Sequence, residues 1–189
     1  MKFGQFLAAL GLVLLLSATG QAAEYFVSPT GNDANAGNGQ APWRTIARAN
    51  AMARAGDIIT IRGGEYTEAI NPQRSGTALE PITYVAQAGE VVTLTSPPKD
   101  AEGKKTAIRL TNTSYIIVDG ITVDGKRLSR SGNESDVDSF IRMSNSHHNV
   151  IKNCNFRYAN GWSGIHIHGG SSQNRILNNT FDAVGTNHI

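Results

Sequence analysis

This chain of 189 residues is poor in cysteine and in charged side chains, and each scarcity excludes a class of protein. Its single cysteine, Cys154, cannot form an intrachain disulfide, so we expect it to be a small buried side chain and the fold to rest on packing. Charged residues make up 17% of the chain and the formal net charge is +2. That composition lacks the basic field typical of nucleic-acid binding, so no nucleic-acid partner is expected.

The one long apolar run lies at the N-terminus. Lys2 precedes an apolar stretch over residues 6–16, and Gly20, Gln21 and Ala22 resemble a cleavage site for signal peptidase. The run is shorter than the roughly 20 residues that span a bilayer, so it indicates a cleaved signal over residues 1–22 rather than an anchor. We therefore expect a secreted or periplasmic protein without stable membrane insertion, and we expect the mature chain to be a monomer.

The second half of the chain repeats itself. Residues 148–156 match residues 173–181 at a spacing of 25, and residues 115–123 match residues 148–156 at a spacing of 33. Repeats of this length indicate a solenoid. Short apolar runs separated by Asn and Gly favour a solenoid built from strands, so we predict an all-β fold, a right-handed parallel β-helix.

A second repeated strand precedes each of these copies. Its three copies are residues 107–111, 140–144 and 164–168. Apolar residues alternate with polar ones, the pattern of a strand with one buried face. Because the strands of successive coils lie about 4.8 Å apart, Arg109, Arg142 and His166 are predicted to form one outward column. A neighbouring column is predicted to consist of Thr111, Ser144 and His168.

The N-terminal third of the mature chain is predicted to start and cap the solenoid. Residues 25–27 are typical of a short strand, and residues 42–55 predict a helix that covers the open first coil. Residues 57–66 predict one strand that ends in a turn at Gly63 and Gly64.

Three stretches, in this order, resemble the N-terminal part of a known superfamily. They are residues 25–33, 42–46 and 55–66. The superfamily is that of bacterial secreted right-handed β-helix proteins, which includes pectate-lyase-like and chondroitinase-B/alginate-lyase-like polysaccharide lyases. The coils with the pattern Asn-x-Ile-x-Asn-Asn-x-Phe are similar to the same group. Because the sequence stops at Ile189 within another coil, we expect one β-helix domain over residues 23–189 that is incomplete.

The outward column suits an acidic, uronate-containing polysaccharide. A proton beside a sugar carboxylate becomes acidic only when the carboxylate is neutralised, which a fixed arginine does, and histidine can remove that proton near neutral pH. We predict that Arg142 binds the carboxylate, that Arg109 assists binding, and that His166 or His168 is the base. Trp162 is expected to stack on a sugar or to pack under a loop. Insertions at residues 97–105 and 127–138 are expected to wall this face.

Other functions remain open on the residues alone. A non-catalytic glycan-binding or scaffold module fits because no complete catalytic signature is present, and the outward column would then be ordinary solvated side chains. A glycoside hydrolase needs paired carboxylates, but Asp119 and Asp124 each precede glycine, an ordinary turn signal. Calcium is the metal that Asp119, Asp136 and Asp138 could bind together, although no spacing rule supports that site. No other cofactor is indicated.

Overall fold

The computed structural model describes residues 22–95, 97–125, 137–159 and 164–184. Several expectations concern residues outside these ranges: the signal segment, most of the insertion over residues 127–138, Trp162, Asp136 and the last five residues. The elements, in chain order, are β1 (Glu24–Val27), α1 (Ile46–Met52), β2 (Ile58–Ile61), β3 (Gly64–Tyr66), β4 (Ile82–Ala86), β5 (Val92–Leu94), β6 (Thr106–Thr111), β7 (Ile116–Asp119), β8 (Thr122–Asp124), β9 (Ser139–Ser144), β10 (Val150–Lys152), β11 (Asn155–Ala159), β12 (Ile165–His168), β13 (Arg175–Leu177) and β14 (Thr180–Val184).

The strands form three sheets that run along the solenoid. Sheet A has the order β1-β2-β4-β7-β10-β13, sheet B has β14-β11-β8-β5-β3, and sheet C has β12-β9-β6. The pairings between these strands are parallel, and successive coils add one strand at a time to a sheet. The predicted all-β parallel β-helix is therefore confirmed.

The strand register confirms the repeat that the sequence predicts. Val150 pairs with Ile117 on one side, a spacing of 33 residues, and with Arg175 on the other, a spacing of 25. In sheet C, Arg142 pairs with Arg109 and with His166. The outward column on sheet C is thus present in the predicted order.

The inward side chains fill the centre of the solenoid. Ile108 and Ile141 are fully buried, and Ile165 is partly buried against the same core. Ile167 points inward but is 45% exposed, because β12 lies at the edge of sheet C in the described part of the chain. Cys154 is buried, as predicted, and its thiol lies 3.1 Å from the carbonyl of Lys152.

Asparagine shapes the tight turns from sheet A to sheet B. Asn153 and Asn178 have φ angles of 53° and 52°, and Gly120, at the equivalent place one coil earlier, has 74°. Asparagine tolerates this left-handed conformation better than most residues, which explains its abundance in the repeats.

A second set of asparagines lies where the chain turns from sheet C to sheet A. We call Asn149 and Asn174 the asparagine corner. The amide of Asn149 is fully buried; it accepts a hydrogen bond from Ile116 N (2.9 Å) and donates to Thr113 O (3.2 Å) and to Asn174 Oδ1 (3.0 Å). These bonds tie three successive coils together.

The N-terminal helix is shorter than predicted. Helix α1 spans Ile46–Met52 rather than residues 42–55, and Thr45 is its N-cap, with its hydroxyl accepting from Arg48 N. The start is late because the Asp33 carboxylate accepts hydrogen bonds from the backbone N–H groups of Arg44 and Thr45, which holds the preceding chain extended. Partial burial opposes ionisation of Asp33, but hydrogen bonds from the Thr45 hydroxyl and from these two N–H groups outweigh it and lower the pKa of Asp33. The helix buries Ile46, Ala49 and Asn50.

The single strand predicted over residues 57–66 is wrong. The chain turns at Gly63 and Gly64, so that β2 lies in sheet A and β3 in sheet B. Gly64 has φ 140°, and a Cβ there would lie 2.6 Å from Pro29 Cγ, so the turn requires glycine. Across the described ranges, no helix is long and apolar enough to cross a bilayer.

Candidate functional site

The outward side chains of sheet C form the candidate site, which we call the sheet C face. Strands β6, β9 and β12 bring Arg109, Arg142 and His166 into one column, and His168 lies in the neighbouring column. The side chains of the two arginines are 15% and 20% exposed, and His166 is exposed to solvent. The structure therefore assembles the predicted residues, except for Trp162, which lies outside the described residues.

A hairpin over residues 99–105 borders this face, as the insertion predicts. Lys99 and Lys105 form an antiparallel bridge across its base. Within the hairpin, Asp100 Oδ1 accepts hydrogen bonds from the backbone N–H groups of Glu102 (3.1 Å) and Lys104 (2.7 Å). The carboxylate of Asp100 is therefore held in one orientation by the hairpin itself.

The same hairpin supplies carboxylates to both arginines. Asp100 Oδ2 lies 3.2 Å from Arg142 Nη1 and 3.6 Å from Arg109 Nε, and Glu102 Oε2 lies 3.3 Å from Arg142 Nη1. The Asp100 side chain is 6% exposed, whereas that of Glu102 is 61% exposed. The predicted cationic column is thus corrected: two carboxylates balance its two arginines. Sequence reasoning missed them because they lie in an irregular loop outside the repeat.

The two histidines differ in their availability. Their rings stack with centroids 4.7 Å apart, and Arg142 Nε donates a hydrogen bond to His168 Nε2 at 3.3 Å. Desolvation lowers the pKa of His168, and the positive charges of His166 and Arg142 lower it further. A neutral imidazole that accepts at Nε2 carries its proton at Nδ1, so the lone pair of His168 is directed at Arg142. His166 is the more accessible base.

The other candidate carboxylates are engaged elsewhere. Asp119 pairs with Lys152 at 3.1 Å, and Asp124 pairs with Arg157 at 3.3 Å, so neither resembles a hydrolase carboxylate pair. Asp138 accepts a hydrogen bond from Lys105 N beside sheet C, whereas Asp119 ends a strand of sheet A. Among the residues described here, no three or more His, Cys, Asp or Glu side chains are grouped as metal ligands. Asp119 and Asp138 are thus not grouped as calcium ligands, and Asp136 lies outside the described residues.

Cys154 is not part of the site. Its side chain is buried between coils, and burial raises the pKa of the thiol to about 11. A thiol of that acidity is protonated at physiological pH and is a poor nucleophile.

Comparison with known proteins identifies the family. The family described as Pel9A-like, right handed beta helix region, matches residues 25–186. The chain belongs to this Pel9A-like family. Membership confirms the right-handed winding and the predicted resemblance to pectate-lyase-like proteins.

Two curated relatives of this Pel9A-like chain are much longer. The uncharacterized protein YwoF of Bacillus subtilis is 33% identical over 133 residues, which cover 70% of this chain and 28% of YwoF. Pectate lyase PEL9 of Emericella nidulans is 45% identical over 73 residues, which cover 38% of this chain and 18% of that protein. The matched parts thus span less than a third of either relative.

Solved structures share the same fold. A rhamnogalacturonan lyase superposes with a TM-score of 0.63 at 19% identity, covering 87% of this chain and 43% of its own. The pectate lyase Pel9A superposes with a TM-score of 0.60 at 22% identity, covering 83% of this chain and 38% of its own. At such low identity the likeness concerns the fold alone.

Proposed function

We propose that this Pel9A-like protein is a secreted polysaccharide lyase that acts on a uronate-containing polysaccharide, and that the sheet C face binds the substrate. One observation carries the proposal: Arg142 lies in register between Arg109 and His166, with its guanidinium partly exposed beside two imidazoles. A parallel sheet fixes the backbone positions of these groups, which lowers the ordering cost on binding. The name of one curated relative, pectate lyase PEL9, supports the same class.

The proposed reaction is β-elimination. Arg142 pairs with a uronate carboxylate and stabilises the negative charge that develops when the adjacent carbon loses its proton. His166 takes that proton, the glycosidic carbon–oxygen bond on the next carbon breaks, and a carbon–carbon double bond forms. The departing sugar oxygen gains a proton from solvent or from an acid elsewhere in the whole protein. His168, neutral near pH 7, buttresses Arg142 through its Nε2 atom.

Binding without cleavage is the second candidate. Arg142 is already paired with Asp100 and Glu102, and the lone pair of His168 is directed at Arg142. Both features leave fewer groups free for proton abstraction, which favours a face that does not cleave the polymer. The two candidates share the binding step and differ only in the product.

The test measures binding and cleavage with the same protein. Polygalacturonate, alginate and glycosaminoglycans are offered at an ionic strength of about 0.05 M, at which exposed charges are only partly screened. Arg142→Ala should weaken binding of the preferred polymer about tenfold, the effect of losing one charge-assisted contact. The control is Arg175→Ala, which removes an exposed arginine from sheet A and should change affinity by less than about twofold.

Ultraviolet absorbance of unsaturated uronates separates lyase from binding module. Growth of absorbance with the wild type, lost in His166→Gln while binding remains, is expected for a lyase. Binding with no absorbance would support the binding module. Equal affinity of wild type and Arg142→Ala for every polymer would contradict both.

N-terminal sequencing of the exported protein should give a first residue near Ala23 if residues 1–22 are the signal.

A further inference from the structure

We infer that Glu102 is an internal competitor, which occupies Arg142 until a carboxylate of the polysaccharide displaces it. The inference rests on the proposed function and adds the residue that sets affinity at that site. Its basis is a difference between the two carboxylates of the hairpin: Asp100 is hydrogen-bonded to the hairpin backbone and buried, whereas Glu102 is exposed.

Asp100 is fixed. One of its oxygens accepts from two backbone N–H groups of the hairpin, and the other contacts Arg142 and Arg109. With its side chain only 6% exposed, Asp100 cannot leave without removing one carboxylate partner from each of two guanidinium groups. Asp100 is therefore a positioning residue, which holds Arg142 at a set place on the sheet.

Glu102 is loosely held. Its backbone N–H donates to Asp100 Oδ1, which sets the residue at the tip of the hairpin, but its carboxylate is 61% exposed and lies 3.3 Å from the same Arg142 Nη1 atom. An exposed ion pair of this kind contributes little because water and salt compete for both charges. A polymer with a carboxylate on each sugar can replace it, since its other contacts keep the local carboxylate concentration high.

The exchange is chemically matched. A uronate carboxylate and the Glu102 carboxylate carry the same charge and the same pair of acceptor oxygens. After displacement, Arg142 keeps its bond from Nε to His168 and its pairing with Asp100, so the guanidinium need not move. Glu102 then becomes a solvated side chain, at little cost.

The test is the change Glu102→Gln, which keeps the shape of the side chain and removes its charge. Affinity for the preferred polyuronate should rise about two- to fivefold, the range for release of one exposed pair. The control is Glu80→Gln, which alters net charge equally at an exposed turn before β4. It should bind like the wild type. In the Arg142→Ala background, Glu102→Gln should give no gain, because its target is gone.

A second readout does not depend on any polysaccharide. The negative charge of Glu102 raises the pKa of His168, against the lowering effects around it. Titration of the His168 ring by NMR should therefore give a lower pKa in Glu102→Gln than in the wild type, and no change in Glu80→Gln. An unchanged pKa of His168 would show that the Glu102 carboxylate does not lie beside Arg142 and His168, and would overturn the inference.

The outcomes separate the inference from the proposed function. If Glu102→Gln and Glu80→Gln bind alike while Arg142→Ala binds weakly, the competitor is overturned and the proposed function stands. A gain that persists without Arg142 also overturns it, because the effect would then be one of overall charge. If no variant and no wild-type protein binds a polyuronate, both are overturned.

Discussion

The asparagine corner and the sheet C face are both columns of polar side chains along the same solenoid, yet they are built in opposite ways. At the corner, the amide of Asn149 is buried and that of Asn174 is half-buried, and both are satisfied by the chain next to them. On the face, charged side chains stay partly in water, and their partners come from a hairpin outside the repeat. The corner is a continuous internal network, whereas the face is an open one.

The difference separates residues that hold the coils from residues that can meet a ligand. A buried amide costs several kcal/mol if it is left unpaired, so the neighbouring coils must supply partners, and asparagine recurs at positions 149 and 174. A partly exposed arginine or histidine is less constrained, because water can reach part of the side chain. Position 166 on the outward column is accordingly histidine where the two earlier coils carry arginine.

The largest effect should come from breaking the corner. Asn149→Ala removes the acceptor of Ile116 N and the donor to Thr113 O and leaves both backbone groups buried without a partner. Each orphaned group costs about 1–3 kcal/mol, so we expect a loss of about 2–4 kcal/mol in the free energy of unfolding. Chemical denaturation, followed by circular dichroism, measures that loss.

The matched control for the corner is Asn155→Ala in the same coil. Asn155 lies in strand β11 with its side chain exposed, so its removal should cost less than about 0.5 kcal/mol. Equal losses for the two variants would contradict the distinction between corner and face, because the buried amide would then contribute no more than an exposed one.

A smaller effect is expected from the anchored carboxylate of the face. Asp100→Asn keeps an oxygen for the hairpin N–H groups but removes the charge between Arg142 and Arg109. Because the arginines are 15% and 20% exposed, water recovers part of the loss, and we expect about 1–2 kcal/mol of destabilisation. Thermal and urea unfolding measure it.

Asp119→Asn provides the comparison for that change. It removes the partner of Lys152, whose side chain is 38% exposed, so the expected cost is below about 1 kcal/mol. If Asp100→Asn proved as mild as Asp119→Asn, Asp100 would be an ordinary surface partner, and its role in positioning Arg142 would fall.

Most of the fold is predictable from the sequence because each coil repeats the same alternation of inward apolar and outward polar side chains. Alternation in residues 107–111 and 140–144 predicts inward Ile108 and Ile141, and the spacing of 33 residues predicts which strands pair. The helix start is not predictable in this way, because Asp33, far along the chain from Thr45, decides it.

The candidate site is predictable only in part, for the same reason. Strand parity brings Arg109, Arg142 and His166 together, since a period of two residues is visible in the sequence. The partners Asp100 and Glu102 lie in a hairpin whose path depends on its own backbone bonds and on a bridge between two lysines. Such a loop has no sequence periodicity, so the repeat pattern does not predict that its carboxylates lie beside the two arginines.

The smallest expected effect is a change in the pKa of His168, which tests whether the side chains of the sheet C face interact with one another. The pKa of His168 is lowered by desolvation first, then by His166 and Arg142, so the folded protein binds this proton less readily than the unfolded chain does. Stability from this group is therefore present above the unfolded value of about 6.5 and is lost as pH falls through the folded pKa. NMR titration of the His168 ring should show an increased pKa in Arg142→Ala, and also in His166→Gln, which removes the larger of the two charge effects. Arg175→Ala, which removes an exposed arginine from sheet A, serves as the control and should leave the pKa of His168 unchanged. A His168 pKa that ignores both changes would mean that the face is a set of independent solvated side chains and, unlike the corner, no network.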